Sequence, residues 1–274
     1  MKMPPLKDWF RHTEGSVTYY LPTESTEHLE ILKTYWNDPW PTLQVAREHN
    51  WGGNVLFGEV PNISTELYFK RFKITNPRYI HKPSRAKTTV TNELYMQSLG
   101  FHTPQLFGLI EKHVAGVRVD SAVIHYALAD AYPAYSWINP PDEFRQLSQC
   151  ERDAIVKAIA QSTADFHRAG LFHGDMHVGN IMCRFVDAGD ITIYWLDNEE
   201  GKKYSTLPFA KRANDLKHLF RFTHLVPKEE QRLFWNTYKE LCDLDEQEIN
   251  TLSRKLNHET SKFWRKKRID YSWD

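Results

Sequence analysis

The sequence predicts an α+β protein of two lobes: an antiparallel β-rich lobe with one helix, then a mostly helical lobe with an inserted β-hairpin. Three observations predict it. Residues 44–73 follow strand patterns, with VLFGEV and ELYFKRFKI rich in β-branched and aromatic residues and divided by the turn-forming Pro61-Asn62. A single helical pattern, SRAKTTVTNELYMQSLG, sits among such strands. Beyond about residue 130 helical patterns dominate and are broken once, by NIMCRFV and ITIYWLD on either side of Asp187-Ala188-Gly189-Asp190. The expected organisation is an N-terminal extension over 1–45, an N-terminal lobe over 46–130 and a C-terminal lobe over 131–274, with a cleft between the lobes.

Taken in order, residues 1–45 read as irregular, with one short helix near Glu24–Trp36. Thr23, Ser25 or Thr26 would cap it, and Pro39 and Pro41 follow its end. Pro83-Ser84 opens the next helix and Gly100 stops it. Two strands follow, near Gln105–Lys112 and Val117–Leu128. The helix Cys150–Arg168 brings Ile155, Ile159 and Phe166 to one face, with Gly170 at its C-terminal end.

Composition sets limits on function. The 274 residues include 41% hydrophobic side chains, enough for a sizeable core. Lys+Arg 35 balance Asp+Glu 35, so no global field favours nucleic acid or an anionic membrane. Cys150, Cys183 and Cys242 lie far apart without metal-ligand spacing, which fits a reducing compartment and no disulfide framework. The start, MKMPPLKDWFRHTEG, has no signal-type apolar core, and no run reaches the ~18 apolar residues that span a bilayer. The expectation is a soluble cytoplasmic protein.

The stretch FHRAGLFHGDMHVGNIM carries the chemistry. His173-x-Asp175 is followed five residues later by Asn180, the spacing of the kinase catalytic loop H-x-D-x-x-x-x-N. A hydroxyl acceptor needs a carboxylate to orient it and take its proton, the role expected of Asp175. Mg²⁺ prefers oxygen ligands, which suits Asn180 and the second carboxylate, Asp197. Folding the hairpin back would return Asp197 beside Asn180. HGD and LD could instead be simple turn residues. The spacing, the preceding helix and the following hairpin together favour a site. His177 has no companion at ligand spacing and reads as a hydrogen-bonded structural histidine.

This arrangement resembles the protein-kinase-like superfamily, over most of the chain after about residue 50 and most specifically at 166–180. The loop is close to the H-G-D-x-H-x-x-N of its bacterial small-molecule and lipopolysaccharide kinases. The resemblance implies a two-lobed protein-kinase-like fold with ATP and Mg²⁺ as cofactors. It implies Lys70, in Leu67-Tyr68-Phe69-Lys70, as the strand lysine on the α/β-phosphates, with Lys73 as runner-up. Glu93, the acidic residue of the following helix, would pair with that lysine. Gly52, Gly53 and Gly58 would cover the phosphates, although they do not form G-x-G-x-x-G and a plain hairpin turn fits nearly as well. Tyr126 joins the nucleotide-binding set. Asp215 would brace the catalytic loop through backbone amides, or be an ordinary acidic residue near a helix N-terminus.

Departures from the protein-kinase pattern narrow the choice. Asp197-Asn198-Glu199 replaces D-F-G, no A-P-E follows, and about seventeen residues separate Asp197 from Asp215, leaving little room to dock a peptide. LYFKRF, the basic connection, the helix with Glu93 and Leu99-Gly100-Phe101-His102-Thr103-Pro104 look like the lipopolysaccharide core kinase family. That resemblance implies phosphorylation of a Kdo or heptose hydroxyl. The tail SKFWRKKRIDYSWD places Arg265, Lys266, Lys267 and Arg268 among Trp264, Tyr271 and Trp273. Such a set suits an anionic glycolipid at the cytoplasmic face of the inner membrane, or simply a solvated helix end. The alternatives are an aminoglycoside- or choline-type kinase, a protein kinase and a nucleotide-binding pseudokinase. No nucleic-acid partner is expected.

Overall fold

A computed structural model describes residues 6–37, 44–49, 53–74, 82–134, 136, 147–185, 190–221 and 226–266. The chain divides into two compact units, residues 1–129 and 130–274. The first contains β1 (Phe10–Glu14), β2 (Val17–Leu21), α1 (Thr26–Asn37), β3 (Gln44–His49) and β4 (Gly53–Gly58). It continues with β5 (Leu67–Lys73), α2 (Arg85–Ser98), β6 (Leu106–Val114) and β7 (Val117–Tyr126). The strands form one sheet in the order β1-β2-β6-β7-β5-β4-β3, every pair antiparallel.

The irregular reading of residues 1–45 is corrected by β1 and β2, which extend the sheet beyond β6. The helix expected near Glu24–Trp36 is α1. All five residues of β2 are buried because both of its faces are covered. Tyr19 and Leu21 pack in the cluster with Leu29, Leu32 and Trp36 of α1. Tyr20 packs in the other cluster, with Ala86 and Val90 of α2. A strand buried on both faces reads as a continuous apolar run, without alternation.

Period-two alternation sorts the rest of the sheet. Leu67 and Phe69 of β5, Ile110 of β6 and Ala122 and Ile124 of β7 belong to the α1 cluster. Phe72, Leu109 and Val123 belong to the α2 cluster. Lys70 shares the parity of Phe72 and therefore the α2 face, whereas Lys73 has the parity of Phe69. A Cβ on Gly108 would lie 2.8 Å from Leu32 Cδ1, so the glycine lets α1 approach the sheet. Ser84 caps α2, accepting from Lys87 N at 3.2 Å.

The second unit contains β8 (Ala131–Pro133), α3 (Gln149–Arg168), β9 (Leu171–Phe172), β10 (Ile181–Phe185) and β11 (Ile191–Trp195). β12 (Lys202–Lys203), α4 (Phe209–Phe220), α5 (Lys228–Leu241) and α6 (Glu246–Lys266) complete it. β10 and β11 form the expected hairpin, with Ile181 opposite Trp195. Most of its turn, 186–189, lies outside the described residues. β8 pairs with β10, and β9 with β12. At two or three residues, β8, β9 and β12 are too short to print a period on the sequence. α3 begins with a capping box in which Ser148 and Glu151 satisfy each other's backbone amides. Its Ile155, Ile159 and Phe166 are buried, and the Trp195 ring lies 5.2 Å from that of Phe166. The basic tail is named only by sequence. The side chains of Arg265 and Lys266, and Lys267 and Arg268 entirely, lie outside the described residues.

Leu32 is fully buried between α1 and the sheet. Leu32→Ala is expected to destabilise the first unit by about 2–5 kcal/mol, read as a lower urea midpoint. A loss under about 1 kcal/mol would mean that α1 does not close this core.

Candidate active site

The chain leaves α3, passes through β9 and enters His173-Gly174-Asp175. What fixes this loop is Asp215 on α4, whose side chain is completely buried. Its Oδ2 accepts from His173 N at 2.8 Å and its Oδ1 from Gly174 N at 2.9 Å. The bracing expected of Asp215 is thus present in the structure. Gly174 adopts φ 89, and a Cβ there would lie 2.8 Å from Glu200 Cβ. Both the left-handed backbone and the close approach require glycine.

The His173 ring ties this loop to the hairpin. Its Nε2 lies 2.9 Å from Leu196 O, which can only accept, so Nε2 carries the proton. Nδ1 then accepts from Asp175 N at 3.3 Å. Burial lowers the His173 pKa and keeps the ring neutral. Leu196 N in turn donates to Asn180 O at 2.9 Å. Leu196 is therefore held from both sides, and Asp197 follows it next to Asn180 in the backbone pairing. Asp197 sits at φ 59, ψ 48, a left-handed conformation that costs an L-residue about 1–2 kcal/mol. Such strain collects at functional sites.

Asp175 lies between two histidines. His218 Nδ1 is 3.1 Å from Oδ1 and His177 Nε2 is 3.5 Å from Oδ2. These contacts, His177 first and His218 next, hold the Asp175 carboxyl far below the usual carboxylate range. The side chain remains 45% exposed, so an incoming group can reach it. Asn180 is buried, and its Nδ2 donates to Asp175 O at 2.9 Å. That bond turns the amide oxygen to the opposite side. His177 accepts from Gly179 N at 3.0 Å through Nδ1, so it is the hydrogen-bonded histidine that the sequence suggests.

His218 was not anticipated. Its signal was its position three residues after Asp215 on α4, which puts both side chains on one helix face. One fixes the loop backbone and the other touches the loop's carboxylate.

The other candidates lie in the first unit. Lys70 occupies β5 between Val55 and Val123, with its ammonium 5.3 Å from the Phe72 ring centroid. Glu93 is buried on α2, and His125 Nε2 lies 2.8 Å from its Oε2. His125 was not singled out by sequence, although it has the parity of Val123 on the α2 face. Lys70 and Glu93 thus belong to the same side of the sheet. Tyr126 does not. It packs in the α1 cluster, edge-on to Phe107 at 5.3 Å, so its ring is parted from Lys70 by the sheet. Gly53 opens β4 and Gly58 closes it, and Gly52 lies outside the described residues. A cavity of about 1050 Å³ is lined by residues 57–61, Gly58 among them, with 63–66 and 127–129.

The Kdo/WaaP lipopolysaccharide kinase family matches residues 79–238, more than half of the chain. The chain belongs to this family. It is accordingly a kinase, and its place is among the phosphotransferases of lipopolysaccharide core sugars. The matched span holds Glu93, the loop, the hairpin, Asp215 and Tyr238. A solved structure described as "WaaP in complex with acyl carrier protein" is similar at TM-score 0.60 and 20% identity, covering 84% of this chain and 97% of that one. At that identity the likeness shows the fold. In all, 1452 solved chains match, so the fold alone selects no acceptor. No curated protein matches the sequence.

His167 and His173 are both fully buried, and burial lowers both pKa values. An unfolded histidine titrates near 6.5, so below about pH 6.5 the unfolded chain takes up protons that the folded family member resists. Stability present above that pH is therefore lost on acidification. Each histidine contributes up to about 1.4 kcal/mol per pH unit until its folded pKa is reached. Urea titrations between pH 7 and 5.5 should show a falling midpoint, and a flat or rising one would contradict the neutral rings.

Proposed function

We propose that this family member transfers the γ-phosphoryl group of ATP to a hydroxyl of a Kdo or heptose residue in the lipopolysaccharide core. One observation carries the reading. A half-exposed carboxylate, Asp175, stands on a loop pinned by a buried one, while the hairpin returns Asp197 to the backbone of Asn180. Asp175 is assigned the acceptor hydroxyl. Held ionised by His177 and His218, it accepts that hydroxyl's hydrogen bond, aims its oxygen and takes its proton as the transfer completes. Phosphoryl transfer has a loose transition state in which the proton leaves late, so a weakly basic carboxylate suffices.

The residues present fit Mg²⁺. Asn180 Oδ1 and the Asp197 carboxylate are hard oxygen donors. Among the described residues no group of three or more His, Cys, Asp or Glu converges as a dedicated metal cage. Mg²⁺ characteristically binds through one or two protein oxygens and fills its remaining positions with waters and substrate phosphates. Bound Mg·ATP would supply the transferable phosphoryl group and neutralise its charge. Lys70, with Glu93 on its face of the sheet, keeps the phosphate-binding role that the resemblance implies. The Arg265–Arg268 stretch is assigned to the anionic surface that presents the acceptor. Four cations near such a surface are worth up to about 4 kcal/mol.

Asp175→Asn should lower kcat by about 10² or more while leaving nucleotide affinity nearly intact. Asp197→Ala should abolish Mg²⁺-dependent turnover and Asn180→Ala should weaken it, whereas full activity in EDTA would refute both metal assignments. Phosphate transfer would be measured on lipopolysaccharide fragments, simple sugars, an aminoglycoside and a generic peptide. Preference for the peptide or the aminoglycoside would overturn the acceptor. Replacing all four tail cations by Gln should reduce co-sedimentation with anionic vesicles and spare turnover of a soluble sugar. Equal sedimentation would remove the membrane role.

A further inference from the structure

Behind the loop lies a second set of buried polar groups that the chemistry above does not use. His167, near the end of α3, is 1% exposed and Tyr238 of α5 is fully buried. His167 Nδ1 lies 2.7 Å from the Tyr238 hydroxyl, and Arg212 Nη1 of α4 donates to that hydroxyl at 3.1 Å. On the other side of the ring, His167 Nε2 is 3.5 Å from Asp215 Oδ2. That distance is long for a hydrogen bond and short enough for electrostatic orientation. The rings of Phe234 and Trp235 stack near Tyr238, at 6.1 and 6.0 Å, so these dipoles interact in apolar surroundings.

The directions of the protons follow from the chemistry of the ends. Arg212 has only donors, so the Tyr238 oxygen must accept from it. At the far end the Asp215 oxygens already accept the His173 and Gly174 amides. A lone pair on His167 Nε2 would oppose that carboxylate, and an N–H there complements it. One assignment satisfies both ends. Arg212 donates to Tyr238, Tyr238 donates to His167 Nδ1, and His167 Nε2–H points at Asp215. The Cys242 thiol also neighbours Tyr238 and Arg212, and burial pushes its pKa up, so it adds no charge.

We propose that Tyr238, through His167, is a positioning residue for the transfer: its hydroxyl selects the His167 tautomer that steadies Asp215, and thereby sets where Asp175 stands. The inference rests on the assignment of Asp175 above. Tyr238 lies on α5, in a different helix from every residue of that assignment. Its effect passes through three contacts before it reaches the loop. Because it touches no reacting group, its loss should change kcat and leave substrate affinities alone.

Selective ¹⁵N-histidine NMR of the wild-type protein tests the first step without reference to activity. His167 is expected as the neutral Nε2–H tautomer, and an Nδ1–H tautomer or an imidazolium would overturn the proposal. Tyr238→Phe removes one hydroxyl and should shift His167 toward a mixture of tautomers. It should lower kcat about tenfold or more, the scale of a misplaced catalytic group, with both KM values within about twofold. Phe234→Leu perturbs the same ring stack, keeps the hydroxyl and should leave kcat close to wild type. Unchanged kcat or tautomer in Tyr238→Phe, or an equal kcat loss in Phe234→Leu, would reduce Tyr238 to a packing residue. A failure of the Asp175 assignment would appear separately, as full activity of Asp175→Asn.

Discussion

Burying a carboxylate costs several kcal/mol unless its oxygens are met by donors, and at Asp215 the loop itself supplies them. The amides of His173 and Gly174 occupy one oxygen each. The loop cannot move without stranding a charge in the core, so the carboxylate and the loop conformation hold each other in place. The geometry around the loop follows from that anchor. Gly174 is required because the backbone turns left-handed under Glu200. His173 then points at Leu196 and holds the hairpin, and Leu196 reaches Asn180. Asp175, Asn180 and Asp197 acquire a fixed relation through backbone contacts around one buried acid. Sites carried on backbone geometry of this kind tolerate little displacement, which is what positioning catalysis demands.

The first unit solves a different problem. Its sheet is covered on both faces, by α1 on one side and α2 on the other. Covering both faces removes the polar surface that a half-exposed antiparallel sheet would show. Lys70, Glu93 and His125 all occur on the α2 side, where a buried carboxylate already has an imidazole partner. On the α1 side Arg71 is neutralised by Asp120 at 2.7 Å and stacks 4.3 Å from Trp36. Arg71 is thus held in the structure's own pairing.

What the sequence disclosed follows the range of the interactions involved. Asp175, Asn180 and the hairpin leading to Asp197 were legible because a short loop and a two-stranded turn encode their geometry locally. α2 and α3 were legible through their caps and apolar spacing. β2 was not, because burial on both of its faces erases the alternation that marks a strand. β8, β9 and β12 exist only by pairing with distant segments. Tyr126, placed by sequence in the nucleotide set, lies on the other face of the sheet from Lys70. The parity of β7 already separated it from Val123 and His125, and the core clusters show the consequence. His218 escaped because a histidine on an amphipathic helix looks like surface until its partner, 43 residues away, is known.

The electrostatics of Asp175 bear on the kind of reaction this loop can run. Two imidazoles directed at one carboxylate make it a poor base, and a hydrolase or an enolising enzyme, which must remove a proton early, would be handicapped by them. Transfer of a phosphoryl group through a loose transition state places the difficulty elsewhere, in aligning the incoming oxygen and offsetting charge on the phosphates. For that task an ionised, oriented and partly exposed carboxylate is an advantage, since it meets the incoming hydroxyl already charged and directed. The histidines supply orientation at the expense of basicity. That exchange is favourable for a kinase, and the family to which the chain belongs is one.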